Sequence, residues 1–227
     1  MQPSNAPPTT SRRLLALSGV VFAVLFLIGW FASGGDAPDY GAADQDWTDW
    51  ADDNQWKSRI GAFAMLLAGF VFLHFAATIR TVLGSAESSA ELARVSFAGA
   101  VTGMAGMTMA IVIVASATTE GADANPVVSR AVATASAGPF LLSAMGFAAF
   151  LLPAGLLTLR SGSFPRWTGV VAIIGGVSFL ITFAAVLSGL GEDSLFGFGF
   201  FPGVLALVIW SIAASIGCYR AVTTITD

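Results

Sequence analysis

The chain contains one histidine, His74, which is the only readily ionisable side chain well inside an apolar segment. That segment runs from Ile60 to Leu83, and a helix over it places His74 roughly 21 Å beyond Ile60. An ionisable group at such a depth is a candidate for proton or ion transfer. The competing interpretation is a neutral imidazole that hydrogen-bonds a neighbouring helix. We favour this structural role, because no second acid or base lies at a similar depth, and keep His74 as the candidate intramembrane functional residue.

Two methionines are further candidates for chemistry. Met104 and Met107 lie three residues apart, so they share a face of a helix. Their thioethers together with His74 are ligands for Cu(I), and one of them with His74 would suit haem iron. A bis-histidine haem within one chain is impossible with a single histidine. Methionine in a glycine-rich helix usually serves as adaptable packing, so we favour packing and expect no cofactor.

Catalytic motifs are missing from the sequence. Neither a G-x-S-x-G nucleophile elbow nor a G-x-x-x-x-G-K-[ST] phosphate loop occurs. The acidic first loop also fails the calcium-loop pattern, since counting from Asp44 puts Asp49 at the glycine position and Gln55 at the glutamate position. We therefore expect no catalytic residue and no enzyme.

The composition is that of a chain whose main solvent is lipid. Hydrophobic residues make up 56% and charged residues 11% of the 227 residues, and the mean hydropathy is +0.79. A helix needs about 20 apolar residues to cross a hydrocarbon core. Six segments qualify, and because they are apolar all round they predict an all-α bundle of transmembrane helices in three hairpins rather than strands. They are Leu14 to Ser33, Ile60 to Leu83, Val95 to Thr118, Phe140 to Leu159, Thr168 to Leu190 and Pro202 to Tyr219.

Basic residues indicate the orientation of these segments, because short loops rich in arginine stay on the cytoplasmic side. Seven of the ten basic residues fall on one side of the membrane when the segments alternate, which predicts that both termini are cytoplasmic. These topology determinants are Arg12, Arg13, Arg80, Arg94, Arg160, Arg166 and Arg220. A twin-arginine export signal at Arg12 and Arg13 is a less favoured alternative. No basic patch suits nucleic acid.

The outer loop between the first two spans, residues 34–59, is rich in acids and tryptophan. We expect Trp47, Trp50 and Trp56 to anchor it at the membrane interface, with a short helix capped by Asp46 lying along the bilayer surface. A second surface helix is predicted from Pro126 to about Ala135, with Asn125 as its N-cap. The chain should then break near Gly138 and Pro139.

Helix contacts in lipid depend on small residues. Gly99 and Gly103 have GxxxG spacing in the third span, and Gly199 and Gly203 have it at the start of the sixth. We expect these glycines to pack helices within the chain rather than to form a dimer face.

Several strings resemble those of uncharacterised six-span bacterial membrane proteins, a family of unknown function. They are Asp52-Asp53-Asn54, Arg59-Ile60-Gly61-Ala62, the end of the second span at Arg80, and the stretch from Leu159 to Trp167. The resemblance covers about Trp47 to Leu187. It implies the six-span topology and a bacterial plasma membrane, and it brings no activity or site residues.

The sequence as a whole predicts a disordered cytoplasmic N-terminus over residues 1–13, a transmembrane domain over 14–220 and a cytoplasmic tail over 221–227. We expect a non-catalytic membrane component that binds lipid, a membrane-protein partner or a second copy of itself. The alternatives are a small-molecule or ion transporter that uses His74 in a cavity beside the third span, and a metal or haem protein built on His74, Met104 and Met107.

Overall fold

A computed structural model describes residues 9–33, 37–38, 41–84, 89–118, 125–188 and 195–223. Over these ranges the regular structure consists of seven α-helices. They are α1 (Thr9–Ser33), α2 (Asp44–Leu83), α3 (Ala90–Ser116), α4 (Pro126–Ala135), α5 (Ala137–Ser161), α6 (Arg166–Ser188) and α7 (Leu195–Thr223).

Length and composition agree with a helical membrane bundle. Five described segments are long and apolar enough to cross a membrane, with α4 and α5 counted together as Pro126–Ser161. In α1 the apolar stretch is shorter, Leu17–Ser33, although the whole helix has 25 residues. The all-α prediction is confirmed, and the six predicted apolar segments correspond to the six long helices.

The six long helices pack in a ring that follows chain order. α1 contacts α2, α2 contacts α3, α3 contacts α5, and α5, α6 and α7 follow in turn until α7 meets α1. The short helix α4 lies against α2 and α3. Every long helix thus buries two sides on its neighbours and leaves one side outward, which suits helices that are apolar all round.

Aromatic side chains fill the middle of the ring. The ring of Phe22 on α1 lies 4.4 Å from that of Phe72 on α2, and Phe72 lies 5.4 Å from Phe150 on α5. Trp210 on α7 completes the cluster, with its ring 5.3 Å from Phe150. All four are fully buried. The centre of the described bundle is therefore a packed aromatic core.

The closest helix contact joins α3 to α5 through glycine. A Cβ atom on Gly99 would lie 2.5 Å from the backbone nitrogen of Phe150, and one on Gly106 would lie 2.7 Å from that of Ser143. Gly103 and Gly146 approach each other even more closely. On α7, Gly199 and Gly203 likewise meet α6. The prediction that these glycines pack helices within the chain is confirmed.

The second helix is longer than predicted and corrects one expectation. α2 has 40 residues, so at 1.5 Å per residue it is about 60 Å long, twice a hydrocarbon core. The expected short surface helix is instead its N-terminal part, since neither glycine nor proline interrupts the chain between Asp44 and Ile60. Asp46 does not cap a separate helix. Its carboxylate accepts a hydrogen bond from Ala43 N at 3.2 Å, one turn before it.

Two of the three tryptophans expected at the interface are buried instead. Trp47 and Trp50 are 3% and 8% exposed and pack edge to face with ring centres 6.0 Å apart. Trp56 is 70% exposed. The first two belong to the core cluster and lie in residues 44–60, which we call the extension of α2. The short helix α4 packs against α2. Their burial differs from the predicted anchoring role.

Helix α4 has the bounds that the sequence predicted. Asn125 accepts a hydrogen bond from Val127 N at 3.1 Å, and Pro126 opens the helix. Arg130 donates to Asp44 Oδ1 at 2.8 Å, which ties α4 to the start of α2. The break that follows lies at Ser136 and not at Gly138 and Pro139. Proline is tolerated there because a helix's first N–H groups have no intrahelical partner.

The helix ends also shift the predicted segment boundaries. α1 begins at Thr9, inside the N-terminal segment of residues 1–13 defined from the sequence, while residues 1–8 lie outside the described part. α7 continues to Thr223, three residues into the predicted tail, and residues 224–227 lie outside the described part.

Candidate functional site

The α2–α3 seam, where the C-terminal half of α2 packs along α3, holds the most site-like features of the described residues. Small residues allow α2 and α3 to approach closely. A Cβ atom on Gly69 would lie 3.2 Å from Thr108 Oγ1, and one on Gly84 would lie 3.1 Å from Ala93 Cβ. Between and beside these contacts, larger side chains leave two depressions. One is apolar and the other is basic.

The apolar depression, which we call the seam groove, has a volume of about 430 Å³. Phe70 and Met109 line it and are 64% and 56% exposed, so the groove opens at the outer surface of the chain. Thr108 supplies a hydroxyl in an otherwise apolar lining. Other residues that line it are Leu66, Leu73, Val101, Met104, Ala105 and Val112.

The basic depression, which we call the arginine cleft, lies where α2 ends and α3 begins. It has a volume of about 590 Å³ and is lined by Arg80 and Arg94 together with small residues such as Gly84 and Ala90. Both arginines are exposed. The Arg80 guanidinium carbon also lies 5.5 Å from the centre of the Phe97 ring, a cation–π distance that holds this side chain over α3. No carboxylate is among the described lining residues.

His74 lies on α2 between the two depressions and faces outward. Its side chain is exposed, Nδ1 donates to the Phe70 carbonyl at 3.0 Å, and the two rings are 4.8 Å apart. Nδ1 is therefore partnered by Phe70, a residue of the same helix that also lines the seam groove, and not by the neighbouring helix expected from the sequence. The transport hypothesis required His74 to face a cavity inside the bundle, and this position does not meet that requirement.

The structure does not gather the predicted metal ligands. Met104 and Met107 are 2% and 0% exposed, whereas His74 faces outward. Met104 packs against Gly69 instead. Within the described ranges, no group of three or more His, Cys, Asp or Glu side chains is placed to hold a metal ion. Both methionines belong to the buried core cluster.

The remaining arginines mark helix ends. Arg160, Arg166 and Arg220 are exposed, and Arg220 lines a second apolar depression of about 430 Å³ between α6 and α7, beside Trp167. Arg12 and Arg13 lie in α1, and the structure does not describe their side chains.

Sequence reasoning assigned Arg80 and Arg94 to topology and missed that they share a cleft. A signal for it is present in the sequence. Small or short side chains flank both arginines, with Ala77, Thr81 and Gly84 on α2 and Ala90 and Ala93 on α3. Small residues at the facing ends of two consecutive helices leave a space between the helices, and the long arginine side chains line that space. A basic loop without such small residues would not form a cleft.

Comparison with known proteins gives a family. The family model described as "Domain of unknown function (DUF4386)" matches residues 17–216. This match confirms the resemblance to an uncharacterised family. No curated protein and no solved structure matches the chain.

Proposed function

We propose, from the premise that this chain belongs to the DUF4386 family, that the protein is a non-catalytic membrane component that binds a lipid acyl chain in the seam groove. The observation that carries the proposal is the groove itself, which is apolar and open at the surface that a bilayer would cover. An acyl chain gains contact there with side chains that a flat helix surface would not offer.

The chemistry of the lining supports a lipid over a soluble substrate. Leu66, Leu73 and Val101 offer dispersion contacts, Phe70 a ring face and Met104 an adaptable thioether. Thr108 is the single polar side chain among the described residues of the lining, and such a hydroxyl in a helix can bond its own backbone. Nothing in this lining would orient a polar substrate for reaction.

The proposed setting is a bacterial plasma membrane with both termini in the cytoplasm. The seven arginines on one side of the spans support this orientation. In this orientation the arginine cleft lies at the cytoplasmic surface of the membrane, and the extension of α2 lies on the opposite, outer side. A membrane-protein partner or a second copy of the chain is compatible with this arrangement, and nucleic acid is not a proposed ligand.

Orientation is tested with single cysteines on a Cys218→Ala background. Asp53→Cys lies on the extension of α2 and Ser163→Cys lies between α5 and α6, and both positions are exposed. A membrane-impermeant maleimide applied to intact cells should label Asp53→Cys and leave Ser163→Cys unlabelled until the cells are opened. The reverse pattern would overturn the orientation.

The lipid proposal is tested by native mass spectrometry of protein that is released from mild detergent. The exposed Ala105 lines the seam groove, so Ala105→Phe fills it from the outer side. The control is Val177→Phe, which adds an aromatic ring to the exposed face of α6. We expect wild type and the control to retain a lipid that Ala105→Phe loses. Equal lipid retention in all three, or none in the wild type, would contradict the proposal.

A further inference from the structure

We infer that the arginine cleft binds the phosphate of an anionic membrane lipid whose acyl chain occupies the seam groove. This inference rests on the proposed function and adds the chemical class of the headgroup. The two depressions lie on the same pair of helices, and the charge of the cleft selects among the lipids that the groove alone would accept.

Charge complementarity is the first support. Arg80 and Arg94 come from different helices and line one cleft. Guanidinium groups bind phosphate oxygens in a planar, bidentate geometry. Both side chains are exposed, so a phosphate could reach them without a large desolvation cost.

The start of α3 adds a second attraction for an anion. Ala90, the first residue of α3, lines the cleft. The N–H groups of a helix's first turn have no intrahelical partner and carry the positive end of the helix dipole. Glu91 is exposed and is not part of the described lining. The cleft thus combines two side-chain cations with a helix N-terminus.

The spacing along α2 matches a lipid. Arg80 follows Phe70 by ten residues, so the cleft lies about 15 Å beyond the middle of the seam groove. Half of a hydrocarbon core is also about 15 Å thick. A phosphate held by Arg80 would therefore place the acyl chain of the same molecule alongside Leu73 and Phe70. A soluble phosphate ion has no acyl chain that could occupy the seam groove.

The experiment uses the full chain, stripped of lipid in a non-ionic detergent and offered phosphatidylglycerol and phosphatidylcholine of identical acyl chains. Native mass spectrometry measures the ratio of the two bound lipids. The test variant is Arg80→Gln with Arg94→Gln. The matched control is Arg160→Gln, which removes an exposed arginine from another helix end. A third arm adds inorganic phosphate at the concentration of the lipids.

An arginine near the membrane surface contributes about fivefold to the binding of an anionic lipid, so two should give a preference of about 25-fold. We expect wild type and Arg160→Gln to prefer phosphatidylglycerol by about this factor and the double variant to bind both lipids almost equally. Phosphatidylcholine carries the same phosphate but neutralises it with choline, so in the double variant its binding should fall much less than that of phosphatidylglycerol. Elution of the double variant like wild type in size-exclusion chromatography shows that it is folded.

Three results would overturn the inference. The preference could persist in the double variant, or Arg160→Gln could reduce it as much, which would indicate unspecific charge. Inorganic phosphate could displace phosphatidylglycerol, which would assign the cleft to a soluble anion. In each case Ala105→Phe still tests the seam groove by itself, so failure of the headgroup assignment is distinguishable from failure of the proposed function.

Discussion

Ser96 on α3 donates a hydrogen bond from Oγ to the backbone carbonyl of Phe150 on α5, at 2.9 Å, and both residues are buried. The bond lies beside the glycine contact of the same two helices, where Gly99 meets the backbone of Ala149 and Phe150. A hydroxyl can reach a carbonyl of another helix only where the backbones approach closely. The polar bond and the small residues are therefore two consequences of one tight helix pair.

Replacement of Ser96 by alanine should lower stability by about 1 kcal/mol, because the bond is lost while the packing of the two helices is kept. For a chain of this size that corresponds to about 2–4 °C in Tm. A thiol-reactive dye can follow unfolding, since Cys218 is buried and is the only cysteine. The control is Ser116→Ala, because Ser116 Oγ donates to Ile113 O within α3 at an exposed site. Equal losses of stability in the two variants would show that the hydrogen bond between α3 and α5 contributes no more than a hydrogen bond within one helix.

Gly146→Ala should be more damaging than the loss of that hydrogen bond. Its new Cβ would collide with the backbone of Gly103, and backbone atoms cannot rotate away as a side chain can. We expect a loss of about 1–3 kcal/mol and less folded protein in detergent.

Gly138→Ala is the matched control for this variant, since it makes the same change in the same helix and its Cβ would meet nothing within 4 Å. It should be neutral or slightly stabilising, because alanine favours helix over glycine by about 1 kcal/mol. If both variants lose the same stability, the close α3–α5 contact is not the cause of the loss. Size-exclusion chromatography with fluorescence detection, after heating in detergent, measures the folded fraction of both variants.

The sequence was sufficient for features that depend on local rules. The apolar segments became the long helices, and Asn125 with Pro126 opened α4 as expected. Gly99 and Gly103 were also expected to pack helices, because close approach in lipid requires small residues. Each of these predictions uses a few neighbouring residues and a rule that holds in any fold.

Features that depend on distant contacts could not be predicted. Apolar residues surround His74 on every face of α2, so no periodicity indicates which face points outward. Trp47 and Trp50 are buried in the core cluster, on a helix that contacts α4, which lies some 80 residues later in the chain. The residues near each of these side chains carry no information about such long-range contacts.

The ion pair between Arg130 and Asp44 should contribute little despite its 2.8 Å length. The two side chains are 38% and 37% exposed, so water and salt weaken their attraction. A double-mutant cycle with Asp44→Asn and Arg130→Gln should give a coupling below about 1 kcal/mol that decreases in high salt. A larger coupling that salt does not change would mean that a bound partner excludes water from this face.

The outward position of His74 gives a prediction that compares it with its neighbour. Phe75 is 1% exposed in the aromatic core, where its ring lies 5.8 Å from that of Trp210. Phe75→Ala should therefore cost about 3–5 kcal/mol. His74→Ala removes only an exposed ring and a hydrogen bond within its own helix, so its cost should stay within about 0.5 kcal/mol.

Thermal unfolding of the two alanine variants in the same detergent measures the difference in their loss of stability. Because His74 and Phe75 are adjacent on α2, they lie at nearly the same depth in the membrane, so depth does not explain a difference between them. A small loss for His74→Ala beside a large loss for Phe75→Ala would confirm that the imidazole faces outward. Comparable losses would mean that the outer face of α2 is covered in the intact protein, by a second copy or another chain. His74 would then regain its place as a functional candidate, because an imidazole at a contact between two chains can receive a polar partner from the second chain.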